Sequence, residues 1–340
     1  MTAACILGCS GPELTAAERA FFVEVQPWGF ILFARNVESP EQVKSLTAAL
    51  RETVGRPDAP ILIDQEGGRV QRLGPPHWRR FPPGRAYGDV AGNDPLLRRE
   101  ITRLGARLLA HDLAALGVNV DCVPVLDVPD PQGHEIIGDR AYGDTPDEVA
   151  VLGRAAAEGL IAGGVLPIIK HIPGHGRARA DSHLELPVVD ATFDELDARD
   201  FAPFKALSDM PMAMTAHVIY AAVDGKRPAT TSRPVMRRVI RGAIGFDGLV
   251  MSDDLSMKAL TGGLRERAEA SFRAGCDVVL HCNGDMAEMQ TVMAGTRRLS
   301  GHAARRAAAA LGRLPKTVEP FDAVQGRARF DAAFEGRWAA

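Results

Sequence analysis

The feature that most constrains the fold is a recurrence. Eight short runs rich in Val, Ile, Leu, Ala and Met occupy residues 4–8, 28–34, 60–64, 118–127, 165–171, 212–219, 248–253 and 276–282. A stretch of helical composition follows each of them, at about 15–26, 40–54, 96–116, 146–163, 193–208, 233–243, 263–275 and 285–299. The runs are continuous rather than alternating, as parallel strands buried on both faces require. Eight strand–helix units predict an α/β fold, a single (β/α)8 TIM-type barrel over residues 1–340. At 340 residues a split into two smaller α/β domains is the competing layout, but no linker rich in Gly, Ser or Pro interrupts the pattern. Residues 300–340 read as a C-terminal helix and an extension packed over the barrel.

Four helix starts carry a Ser or Thr with Glu or Gln three residues on, a pattern that satisfies two otherwise orphan amides. They are Thr15/Glu18, Ser39/Gln42, Thr145/Glu148 and Thr192/Glu195. Two of them absorb the adjacent acids Asp147-Glu148 and Asp194-Glu195, which otherwise resemble the paired acids of a sugar hydrolase. As caps they are structural.

Charge narrows the partners. A net charge of −3 with both signs mixed along the chain leaves no basic stripe for nucleic acid and no polybasic membrane anchor. No segment approaches the ~20 apolar residues that span a bilayer, and no basic residue precedes the short apolar run at the start. Five cysteines, an odd number lying mostly in apolar runs, suit free thiols in a reducing compartment. The expectation is a cytoplasmic protein acting on a small molecule, with no nucleic-acid or membrane partner.

In such barrels the active site lies at the C-terminal ends of the strands. The polar residues there are Arg35 and Asn36; Asp64, Glu66 and Arg69; Asp127; Lys170 and His171; His217; Asp253 and Asp254; and His281 and Asn283. A rim of carboxylates, cations and imidazoles suits a polar ligand such as a sugar. The fifth unit, LPIIKHIPGHGRARADSH, runs into a Gly- and Pro-containing loop that ends in Asp181-Ser182-His183. In an extended segment residues i and i+2 share a face, so Asp181 can bond one ring nitrogen of His183 and leave the other toward the cleft. Such a pair fixes the tautomer and raises imidazole basicity. An Asp-x-His also occurs in ordinary turns. On residue type alone, Arg140 equally suits a surface ion pair, Arg72 a solvated loop, and His175 and His217 either packing or site lining.

KHIPGHGRARADSH resembles the signature of bacterial β-N-acetylglucosaminidases in glycoside hydrolase family 3, usually KHFPGHG, four variable residues and DSH, with Ile172 in place of Phe. Further family-like motifs follow that family's order: ILIDQEGGRVQRL at 61–73, IIGDRAYG at 136–143 and FDGLVMSDDLSM at 246–257. The resemblance implies Asp253 as nucleophile and His183 as general acid/base with Asp181 behind it. It further implies that Asp64, Arg72, Arg140, Lys170 and His171 hold the terminal sugar. The residues themselves do not choose between Asp253 and Asp254; the resemblance does.

The implied reaction is a retaining hydrolysis through a covalent glycosyl-enzyme. The implied substrate carries a non-reducing terminal β-N-acetylglucosamine, as in the N-acetylglucosaminyl-1,6-anhydro-muropeptides of peptidoglycan recycling. No cofactor, no metal and a monomer are expected. A His in place of the second carboxylate repels an incoming anion less, so a phosphorylase variant of the reaction is one alternative. A metal-dependent hydrolase is another, although His175 in its Gly-His-Gly context lacks paired His spacing. A silent sugar-binding module is the third. Attack by the substrate's own acetamide is disfavoured because the acid pairs it calls for are the helix caps.

Overall fold

The computed structural model describes residues 1–90, 94–179 and 186–338. All eight apolar runs contribute a barrel strand: β1 Ala3–Gly8, β2 Pro27–Leu32, β3 Ile61–Ile63, β4 Val120–Asp121, β5 Leu166–Ile172, β6 Met212–Thr215, β7 Leu249–Asp254 and β8 Val278–His281. Each pairs in parallel with its sequence neighbours, and β1 pairs with β8 (Cys5 with Val279, Ile6 with Leu280), which closes the barrel. Because every strand runs the same way, the residues just beyond their C-terminal ends meet on one rim.

The helices of the wall include α1 Ala16–Val25, α2 Pro40–Val54, α3 Pro95–Ala114 and α4 Pro146–Ala162. After a broken helix at 193–206 and a π-helical turn at Val235–Ala243 come α5 Leu264–Ala274 and α6 Met286–Gly295. Full capping boxes form at Thr15/Glu18, Thr145/Glu148 and Thr192/Glu195, so Glu148 and Glu195 are structural acids. The Ser39 box is only half formed. Ser39 accepts from the Gln42 amide, but the Gln42 side chain accepts from Glu38 N and donates to Pro12 O and Asn36 O.

Two apolar runs give less strand than their length suggests. In 118–127 only Val120–Asp121 enters the regular ladder, because Pro124 has no N–H to give. The backbone still follows β5, with Leu126 N donating to Lys170 O at 2.7 Å and Lys170 N to Pro124 O at 3.1 Å. The run 212–219 splits, and Ile219–Tyr220 leaves the barrel to pair with Val188–Val189. Beyond residue 300 lies α7, Gly301–Leu311, and the extension contains a further helix, α8, Ala323–Ala333. The latter packs on α3, and its Phe330 ring lies 5.8 Å from that of Phe81.

All five cysteines are buried and unpaired. No described helix is long and apolar enough to cross a membrane.

Candidate active site

A pocket of about 450 Å³ opens on the C-terminal rim, a volume typical of small-molecule sites. Asp64, Arg72, Arg140, Lys170, His171 and Asp253 all line it. Asp181 and His183 lie outside the described residues.

One wall is a charge network assembled from three separate segments. The Lys170 ammonium, on β5 and only 2% exposed, sits 2.8 Å from Asp64 Oδ1 and 2.7 Å from Glu66 Oε1. Arg140 donates twice to Glu66, from Nε at 2.8 Å and Nη2 at 2.7 Å. Arg72 reaches Asp64 Oδ2 at 3.3 Å. Burial alone raises a carboxyl pKa, but here the cations outweigh it. Lys170 and Arg72 hold Asp64 far below the ordinary range, and Arg140 with Lys170 holds Glu66 down to about 2. Burial opposes the charge on Lys170, and the same two carboxylates reverse that and raise its pKa. The wall therefore presents fixed acceptors beside fixed donors. A sugar hydroxyl both donates and accepts, so such pairs match it.

Beneath this wall Asp127, fully buried, organises the start of the loop after β5. Its Oδ2 lies 2.7 Å from His171 Nδ1, and its Oδ1 accepts from the amides of His171 at 3.2 Å and His175 at 2.7 Å. With Nδ1 so occupied, His171 keeps Nε2 for another partner. His175 lines the pocket, and burial depresses its pKa to about 4 despite the nearby Asp127. It is neutral at pH 7.

Both acids that end β7 accept hydrogen bonds. Asp254 Oδ1 accepts from the amides of Ser256 and Cys282, each at 3.2 Å, and its Oδ2 accepts from the Ser256 hydroxyl. Asp253 Oδ1 accepts from the next amide in the chain, at 2.8 Å. His217 does not line the pocket. It is buried, with Nδ1 2.7 Å from Thr230 Oγ1 and Nε2 2.9 Å from the Asp254 carbonyl, so it props the backbone behind the acids.

Several rim residues turn out to be braces. Arg35 donates to the carbonyls of Cys9 and Cys282, and Asn36 to those of Cys9 and Gly11, stitching the ends of β1, β2 and β8 together. Arg69 holds the carbonyls of Glu135 and Ile136 and pairs with Asp139. Sequence inspection placed Glu66 and Asp127 on the rim without a role. No local pattern marks Glu66, because its partner Arg140 is 74 residues away. Among the described residues, no group of three or more His, Cys, Asp or Glu side chains is arranged to hold a metal ion.

Residues 13–310 match the glycosyl hydrolase family 3 N-terminal domain. The chain is 41% identical over 308 residues to a beta-hexosaminidase of Methylococcus capsulatus, covering 89% of this chain and 90% of that protein. It is 38% identical over 302 residues to the beta-hexosaminidase of Pseudomonas aeruginosa, with 88% of each covered. Its fold superposes on crystalline NagZ of Neisseria gonorrhoeae with a TM-score of 0.85 at 33% identity, over 99% of this chain and 97% of that one. NagZ in complex with N-trifluoroacetyl-D-glucosamine superposes equally, with a TM-score of 0.85 at 35% identity over 98% of this chain and 96% of that one. A closed parallel barrel with a polar pocket on its C-terminal rim, and relatives alike over nearly their whole length, lead to one assignment: the chain is a glycoside hydrolase and belongs to glycosyl hydrolase family 3.

Proposed function

We propose that this glycoside hydrolase, a β-N-acetylhexosaminidase like its relatives, removes non-reducing terminal β-linked N-acetylglucosamine with retention of configuration, Asp253 serving as nucleophile. The observation that carries the proposal is the Asp64–Lys170–Glu66–Arg140 network, with Arg72, walling a sugar-sized pocket that Asp253 also lines. The network positions the terminal sugar, and Asp253 attacks its anomeric carbon while His183, oriented by Asp181, gives a proton to the departing oxygen. The covalent glycosyl-enzyme is then opened by water, which returns its proton to His183. What favours Asp253 over Asp254 is the resemblance: in FDGLVMSDDLSM the first acid of the pair matches the family's nucleophile. The substrate in this proposal is a cell-wall fragment of the N-acetylglucosaminyl-anhydro-muropeptide kind, handled in the cytoplasm by a monomer whose whole chain forms one catalytic unit.

The test is hydrolysis of an aryl β-N-acetylglucosaminide against the matching glucoside, by the intact protein and by Asp253→Asn and His183→Ala variants. Turnover confined to the acetamido sugar, abolished in the first variant and slowed in the second, is the expected result. Full activity in Asp253→Asn would sink the assignment of the nucleophile. Loss of activity on chelation would favour the metal-dependent alternative, and a phosphate-dependent rise in sugar 1-phosphate would favour phosphorolysis.

A further inference from the structure

A second pocket, of about 440 Å³, lies between the segment at 226–233, the residues 259–261 that follow β7, and α5. Among the described residues five cations line it, Lys226, Arg227, Arg233, Arg267 and Arg273, and no carboxylate does. Among the described residues, neither Lys226, Arg227 nor Arg233 is paired with an acid, whereas Arg273 meets Glu269 at 3.4 Å. Other surface arginines do meet carboxylates, as in Arg19–Glu52, Arg154–Asp209 and Arg306–Asp247. A concentration of unanswered positive charge in a chain of net charge −3 is a local surplus suited to a multiply charged oxyanion.

The position of the pocket says which oxyanion. Met257 lines the sugar pocket and Ala259 the cationic one. Two residues of chain span about 7 Å at most. Arg267 ties the two together: its guanidinium donates to Leu255 O at 2.7 Å and Met257 O at 3.1 Å, bracing the turn that forms their shared wall. A glycoside bound with its terminal sugar against the charge network must project its leaving group out of the sugar pocket, and the cationic pocket lies within reach of a short chain that leaves over residues 257–259.

We propose that the pocket of Lys226, Arg227 and Arg233 is an aglycone subsite for a chain of carboxylates carried by the leaving group. The proposal rests on the hydrolase reading above and extends it to the part of the substrate that is released. Arg267 belongs to the wall and is left intact in the test.

The experiment uses the full-length protein and two β-N-acetylglucosaminides whose leaving groups carry either a triglutamyl or a triglutaminyl tail, with a plain aryl glycoside as reference. Exposed charge pairs contribute a few-fold each at low salt. The intact protein is expected to favour the triglutamyl substrate about tenfold in kcat/KM, through KM, with the preference fading as salt screens it. In a Lys226→Ala/Arg227→Ala/Arg233→Ala variant the ratio falls toward one, while the aryl glycoside is turned over within about twofold of the intact rate. A ratio near one in the intact protein, or one unmoved by the triple substitution, overturns the proposal. Binding of a fluorescent triglutamyl peptide, followed by anisotropy, reports on the pocket even if no glycoside is cleaved, so failure of the hydrolase reading is told apart from failure of this one. Displacement of that peptide by inorganic phosphate as readily as by unlabelled triglutamate would overturn the proposal in favour of a free-anion site.

Discussion

The proposed function assigns different work to two adjacent residues with the same side chain at the end of β7, and the difference is measurable. Asp254 accepts two backbone amides, from Ser256 and Cys282. Both bonds end on Oδ1, and truncation leaves the two amides without that acceptor, so Asp254→Ala is expected to cost about 1–3 kcal/mol of stability. Asp253→Asn is expected to leave the melting temperature nearly unchanged while removing turnover; calorimetry beside an aryl-glycoside assay separates the two, and equal destabilisation by both would refute the distinction. His175 supplies a pH prediction. Burial keeps its folded pKa at about 4 against about 6.5 in the unfolded chain, so between those values the unfolded state binds a proton that the native state refuses. This contribution is complete above pH 6.5 and is lost as pH falls, by up to about 3 kcal/mol at pH 4. Urea midpoints at pH 7.5 and 4.5 should therefore drop further for the intact protein than for His175→Gln, and matching drops would show that the proton does not matter. These residues also mark how far a sequence can be read. Asp64, Arg72, Arg140, Lys170 and His171 were recognisable from their motifs, and all five line one pocket. That Glu66 is gripped by Arg140 and Lys170, or that His217 props a carbonyl, depends on partners dozens of residues away. No local pattern records such pairs.

At the scale of elements, the loop that leaves β5 is held by backbone as much as by side chains. Gly174 O accepts from the Tyr220 hydroxyl at 2.6 Å, Gly176 O from Asp130 N at 3.1 Å, and Arg177 Nε donates to the buried Asp200 at 2.7 Å. A Cβ on Gly176 would stand 1.8 Å from Val128 O, with no room on either side, since both partners are main chain. Gly176→Ala is expected to shift the stem of the loop, and misplacement near 1 Å is enough for roughly a hundredfold loss in kcat. Gly225→Ala, where the nearest atom is 4.0 Å away, serves as control and should match the intact enzyme. If the two alanine variants behave alike, the stem does not need this close approach. The element pattern itself was largely legible, because burial on both faces writes a barrel strand as an unbroken apolar run. It failed where backbone chemistry overrides composition. Pro124 interrupts the β4 run, and the 212–219 run divides so that Ile219–Tyr220 can pair with Val188–Val189 instead of extending the barrel.

For the whole molecule, the question is why the end of the chain should matter to a pocket on the rim. Phe330 of α8 is 3% exposed and packs against Phe81, Tyr87 and Phe334, with ring centroids 5.8, 6.2 and 4.9 Å away. Phe81 in turn accepts from Gly68 N at 2.8 Å and donates to Gln71 Oε1 at 2.9 Å, and Gln65 Oε1 accepts from Arg72 N at 2.9 Å. The C-terminal helix thus backs the segment that carries Glu66 and Arg72. Truncating a buried phenylalanine costs about 3–5 kcal/mol wherever it sits. Phe330→Ala and Phe246→Ala, the latter 1% exposed in the core behind β6 and β7, should therefore lower the melting temperature to a similar degree. Only Phe330→Ala should also raise KM for the aryl glycoside several-fold at a temperature where both variants are folded, because only its cavity lies beneath the segment that carries Glu66 and Arg72. An unchanged KM in Phe330→Ala would mean that the barrel rim holds Glu66 and Arg72 without help, and that the tail stabilises the molecule without shaping its site.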